Sequence, residues 1–96
     1  MPAYLVARVW VQDPQSYQHY SARSPGIIAK YGGRVLARGG TMEVLEGNDS
    51  ECRVIIVEFP SLEAARGFYH SREYQEIREI RVPVAEAQFL IVEGAV

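Results

Sequence analysis

A second cysteine, a cluster of basic residues and a long apolar run are all missing from this chain, and each absence removes a class of function. Cys52 is the only cysteine in 96 residues, so no intramolecular disulfide forms. It reads as a small apolar strand or core residue, with a reactive thiol as the alternative, and a reducing compartment fits. Lys plus Arg number 10 against 12 Asp plus Glu, and no basic stripe is present to neutralise phosphates. Nucleic acid and anionic membrane are therefore not expected partners. No apolar stretch approaches the roughly 18 residues of a membrane span. The run from Ala3 to Val11 contains Arg8 and follows no basic segment, which is unlike a signal peptide. The expected location is the cytoplasm.

Chemical signatures are sparse as well. His19 and His70 are the only imidazoles, and no cysteine or paired carboxylate stands near them, so neither a metal site nor a cofactor is expected; a haem would need one of these two as its axial ligand. The glycine pairs of "GGRVLARGG" lack the spacing of a phosphate-binding loop and do not open a helix. No strand-to-helix nucleophile elbow is evident, which argues against a covalent hydrolase.

What is present is a run of alternating and periodic segments. "AYLVARVWVQ", from Ala3 to Gln12, is β-branched and aromatic, with Leu5, Ala7, Val9 and Val11 on one face and Tyr4, Val6, Arg8 and Trp10 on the other. Asp13 before Pro14 is a helix cap followed by proline at the first helical position. Ser24 and Pro25 repeat that signature, so the helix is expected to kink or restart there. Gly32 supplies its left-handed stop. "GRVLARGG" predicts a second strand with Arg34, Leu36 and Arg38 on one face, a bulge or bend at Gly39 and Gly40, and a continuation through "TMEVLE". A turn at "GNDSE" precedes "CRVIIVEF", an apolar run of the kind that forms a central strand. Ser61 and Ser71 cap two further helical segments that Pro83 terminates, and "AQFLIVEG" is the last strand.

The order β-α-β-β-α-β is the ferredoxin-like α+β arrangement, with helices on one face of an antiparallel sheet, and the whole chain, 1–96, is expected to be one such domain. The other sheet face keeps Tyr4, Val6 and Trp10 bare, which predicts a homodimer formed by a second copy of the sheet.

"YGGR", "ARGG", "LEG", "EFPS", "AARGFYHSREYQ" and the terminal "VEG" together resemble the DUF1330 family of small bacterial proteins over nearly the whole chain. The resemblance implies the ferredoxin-like fold of the dimeric α/β-barrel superfamily, whose relatives include antibiotic-biosynthesis monooxygenases, muconolactone isomerases, chlorite dismutases and amino-acid-sensing domains. The family implies no one activity. Where its members commonly carry Trp before Tyr, and Pro between Ser and Glu, this chain has Phe68 and Arg72, so a role requiring an indole at that place does not carry over.

Alternation places Arg8, Arg38 and Glu58 on the sheet side away from the helices, beside Tyr4 and Trp10. Glu58 interrupts an apolar run and needs a partner, for which Arg8 and Arg38 are the candidates and Arg38 the principal one. Two readings fit. In one the pair is structural glue in a dimer interface. In the other it lines a cavity where Arg38 and Arg8 hold a small anionic or aromatic molecule, Glu58 orients it or moves a proton, Trp10 and Tyr74 contribute to binding, and Tyr69 and His70 line the entrance. Tyr17, Tyr20, Tyr69 and Tyr74 read first as core or interface residues, with phenols at a pocket rim as the sharper alternative. His70, beside Tyr69 at a helix junction, is the further candidate base, against the plainer reading of an exposed or capping histidine. The rival to any such site is a non-catalytic dimeric binding or stress-associated module.

Overall fold

The computed structural model describes residues 1–48 and 51–95. Four strands, β1 (Ala3–Val11), β2 (Arg34–Arg38), β3 (Arg53–Phe59) and β4 (Ala85–Glu93), form an antiparallel sheet in the order β2-β3-β1-β4. Helices α1 (Pro14–Ser21), α2 (Ser24–Lys30), α3 (Leu62–Tyr69) and α4 (Arg72–Arg81) lie on one face of it. The ferredoxin-like α+β arrangement is thus present, with each helical arm broken into two. A thickness of 16 Å against 34 and 33 Å in the other directions matches one helical layer on one sheet.

The caps follow the sequence closely. The Asp13 carboxylate accepts from the Ser16 amide at 3.3 Å and the Ser16 hydroxyl at 2.9 Å. Those bonds hold its pKa below the ordinary value, so the cap is intact at neutral pH and is lost as pH falls through that lowered value. Ser61 Oγ accepts from the Ala64 amide, and Ser71 Oγ accepts from the Tyr74 amide while donating to the Phe68 carbonyl, so one hydroxyl ends α3 and starts α4. At the other break the expectation fails in detail. The helix restarts at Ser24 and Pro25, but the capping position is Arg23 and no side chain caps it.

Gly32, at φ +83°, closes α2 as expected. Gly33 is required by space: an added Cβ would stand 2.6 Å from Ile28 Cγ2 and 2.8 Å from Phe59 Cε1. The "TMEVLE" continuation does not form a strand. After Arg38 the chain leaves the sheet with Leu45 84% exposed, because alternation in 41–46 has no neighbouring strand to pair with. Of the turn expected at 47–51, Gly47 has φ +99°, whereas Asp49 and Ser50 lie outside the described residues. Cys52 is half-buried.

Leu5, Ala7, Val9, Val57 and Phe59 point from the sheet into the helices, where they meet Tyr17, Tyr20, Phe68, Tyr74 and Ile77. Among the described residues no helix covers the opposite face. There the register aligns Tyr4 with Val92 and Glu58, Val6 with Leu90 and Ile56, and Arg8 with Gln88 and Val54. Its middle is apolar, with Leu90 55% and Val92 50% exposed.

The second strand contains the main correction. Arg34 aligns with Glu58 and Val35 with Val57, but Ala37 aligns with Ile56 and Arg38 with Ile55. Leu36 is the extra residue of a bulge, and one extra residue exchanges the faces of everything after it. Arg38 therefore lies on the helix side, and cannot partner Glu58.

Candidate functional site

Between the sheet and the first helical arm lies a cavity, with about 40 Å³ open to the centres of water molecules. Leu5, Ala7, Val9, Val35, Ile55 and Val57 form its floor; Tyr17, Tyr20, Ser21, Ser24, Pro25 and Ile28 form its roof; Phe68 and Phe89 also contribute to the wall. The break between α1 and α2 puts short side chains and a proline where a continuous helix would present a packed face. A single water needs about 10–15 Å³ on this measure, so the space admits roughly three water-sized groups.

The polar residues of this lining include two arginines. Arg38 comes from the end of β2, and its Nη2 donates to the Ser21 carbonyl at 2.6 Å, satisfying the last turn of α1. Arg53 opens β3 two positions before Ile55, on the same face, and its guanidinium lies 5.5 Å from the centre of the Tyr17 ring. The ion pairs found among the described residues are Lys30 with Glu73 and Arg34 with Glu58, so neither Arg38 nor Arg53 has a carboxylate partner there. Among the described residues no acidic side chain lines the cavity.

The phenols are donors, not bases. Burial pushes the Tyr17 hydroxyl above its ordinary range, with Arg53 opposing the shift, and burial pushes Tyr20 up much further. Tyr20 and Tyr74 share a hydrogen bond of 2.8 Å. Behind them Arg81, 5% exposed, lies 4.5 Å from the centre of the Phe89 ring and 5.7 Å from that of Tyr20. Its Nη2 donates to the Tyr74 hydroxyl at 3.5 Å, and its Nε has no hydrogen-bond partner among the described residues. Arg81 does not line the cavity, but its charge adds to the positive potential there.

The residues singled out in the sequence are distributed over four places. Arg38 is in the cavity. Glu58 is on the bare sheet face, accepting from Arg34 Nη2 at 2.9 Å and from the Tyr4 hydroxyl at 3.3 Å. The Arg34 and Glu58 side chains are 73% and 28% exposed, so this pair is solvent-screened, worth about 1 kcal/mol or less, and is not the costly buried pair expected. Arg8 lies four residues along β1 from Tyr4, the residue opposite Glu58, and its guanidinium is instead 5.3 Å from the centre of the Trp10 ring. Tyr69 and His70 line a separate groove of about 250 Å³ with Arg66, Leu90 and Ile91; only Leu5 and Phe89 border both spaces. His70 is exposed at the end of α3, as is His19 on α1. Tyr74 is wholly buried in the core rather than at a rim. Glu58 and His70 are therefore not brought together, and neither reaches the cavity.

Sequence reasoning missed Arg53 and Arg81. For Arg53 a signal existed: with Glu58 facing away from the helices, two-residue alternation carries positions 57, 55 and 53 to the helix side. Among the described residues no three His, Cys, Asp or Glu side chains gather into a metal-binding group, and no helix is long and apolar enough to cross a membrane.

The fold and this cavity define a small α+β protein with a sheet-and-helix pocket. The chain belongs to the DUF1330 family, a domain of unknown function, whose family model matches residues 2–95. Among solved structures it is similar to RPA0582, a protein of unknown function from Rhodopseudomonas palustris. That likeness has a TM-score of 0.78 and 20% identity, covering 99% of this chain and 83% of the other. It is also similar to SnoaB, a cofactor-independent oxygenase from Streptomyces nogalater, with a TM-score of 0.69 and 13% identity, covering 99% and 94%. A de novo designed protein, Foldit4, is similar with a TM-score of 0.63 and 13% identity, covering 99% and 100%. No curated protein sequence matches. At these identities the likenesses show the fold alone, and function must be argued from the site.

Proposed function

We propose that this chain is a small-molecule binding protein whose cavity between the sheet and α1–α2 takes an organic anion with an apolar body, and that it works as a homodimer packed through the bare sheet faces. The observation that supports it is the pairing of an apolar, aromatic-walled cavity with two arginines that have no carboxylate partner among the described residues. An apolar enclosure with a few convergent polar groups is the usual form of a ligand site. Binding is favoured over proton-transfer chemistry. The lining phenols stay protonated at neutral pH, and Glu58 and His70 stand elsewhere. The likeness to SnoaB brings its fold to this reading, not its reaction.

Thermal unfolding tests it. Ligands that bind only the folded state stabilise by RT ln(1 + [L]/Kd), so short aliphatic acids should raise the melting temperature in a saturable way. Val35→Phe, which fills the floor of the cavity, should keep the fold and lose that response. An equal response in parent and Val35→Phe would place binding elsewhere.

A further inference from the structure

We infer that Arg38 and Arg53 act together as a clamp for one carboxylate, making a short-chain monocarboxylic acid the ligand class of the cavity; this rests on the binding function proposed above. Arg38 stands opposite Ile55 in the ladder, and Arg53 is two residues from Ile55 on the same face. Diagonal neighbours of this kind are about 7–8 Å apart, well within the reach of two arginine side chains. The two are also held by different means. Arg38 spends one nitrogen on the Ser21 carbonyl, and Arg53 rests a face of its guanidinium against Tyr17. Each keeps further N–H donors for a ligand.

Gly39 is part of the same arrangement. It has φ +66°, and a Cβ there would stand 2.7 Å from Arg53 Nε and 3.1 Å from its Nη2. The Arg53 side chain therefore lies directly over the backbone that carries Arg38 into the mouth. Glycine at this position leaves room for the Arg53 side chain where it lies. Arg38 is exposed and Arg53 half-buried, so the two guanidiniums stand at the mouth of the cavity, where an anion between them is attracted to both.

The head group follows from the donors and the tail from the space. A planar carboxylate offers two oxygens, one to each guanidinium, and such charge-assisted contacts are the strong and geometrically selective ones. Inside, room for roughly three water-sized groups fits a tail of a few carbons better than a long chain. Inorganic phosphate, with no tail, leaves the apolar floor unfilled.

Titrations of the full chain followed by amide chemical shifts decide the matter, with butanoate, butanamide and inorganic phosphate as probes. Butanoate should saturate with Kd near or below about 1 mM, with butanamide and phosphate each weaker by about tenfold or more. Arg38→Met and Arg53→Met should each weaken butanoate by about tenfold or more and weaken neutral butanamide by much less. If Arg53→Met disturbs folding, Arg53→Lys keeps the charge without the planar fork and should still weaken butanoate. Equal binding of butanoate and butanamide would overturn the clamp and leave the cavity reading standing. Phosphate binding as tightly as butanoate would overturn the monocarboxylate assignment. Failure of both organic probes to shift any cavity residue would overturn the clamp and the cavity reading together.

Discussion

Tyr74→Ala is expected to cost about 3 to 5 kcal/mol of folding stability, read as a fall in the urea midpoint with little change in slope. Tyr74 is fully buried and packs against Phe68, with ring centres 4.8 Å apart, Tyr69 at 5.3 Å, Tyr20 at 6.2 Å and Phe89 at 6.3 Å. Removing its ring opens a hole where α1, α4 and β4 meet. For a domain whose total stability is typically about 5 to 15 kcal/mol, that loss is large. Tyr74→Phe keeps the ring and removes only the hydroxyl, leaving Tyr20 without its phenol partner. It should cost about 1 to 3 kcal/mol, and adding Tyr20→Phe should recover only the part due to the orphaned Tyr20 hydroxyl, because buried Arg81 Nη2 still lacks the Tyr74 acceptor. A Tyr74→Ala variant as stable as the parent would contradict this description of the core.

Val6→Glu should convert a dimer into a monomer. Val6 lies mid-strand on the bare face, between Ile56 and Leu90, and Tyr4, Val54 and Val92 extend the apolar surface around it. In a two-fold interface the substitution appears twice, bringing two carboxylates into apolar surroundings without partners, a change worth several kcal/mol. The dissociation constant should rise about 100-fold or more, so light scattering at micromolar concentration should report one chain mass where the parent reports two. Leu90→Lys, at a more exposed position of the same face, should act in the same direction with less risk to folding. A parent that is already monomeric would remove the dimer from the proposal. The cavity would stand, since its lining comes from one chain.

Most of the architecture was legible because alternation, caps and proline positions are local. Leu5, Ala7 and Val9 declare an inward face, and Ser61 and Ser71 declare helix starts. The site was legible only in part, because its key residue follows a bulge. Gly39 and Gly40 signalled an irregularity, but it falls earlier, at Leu36, and exchanges the face of Arg38. Nothing in "RVLAR" marks that extra residue, since leucine is as acceptable in a bulge as in a regular strand. That shift explains why alternation wrongly points Arg38 at Glu58; Arg34 precedes the bulge, shares the face expected of it and does pair with Glu58. Val54 to Val57 carry no phase of their own, but Glu58 sets it, and counting back by twos from Val57 brings Arg53 to the helix side. The "TMEVLE" segment shows the converse case, in which alternation is present and a strand is not, since pairing needs a neighbour as well as a pattern.

On the reading proposed here, ligands enter on the helix side of the sheet, at Arg38 and Arg53, and not on the bare face or in the groove of Tyr69 and His70. Methyl-labelled protein titrated with butanoate tests this directly. Shifts and ligand contacts are expected at the methyl groups of Ile28, Val35, Ile55 and Val57, with Val6, Ile56, Leu90 and Val92 unaffected. Shifts confined to Val6, Ile56, Leu90 and Val92, or to Leu90 and Ile91 beside His70, would contradict it.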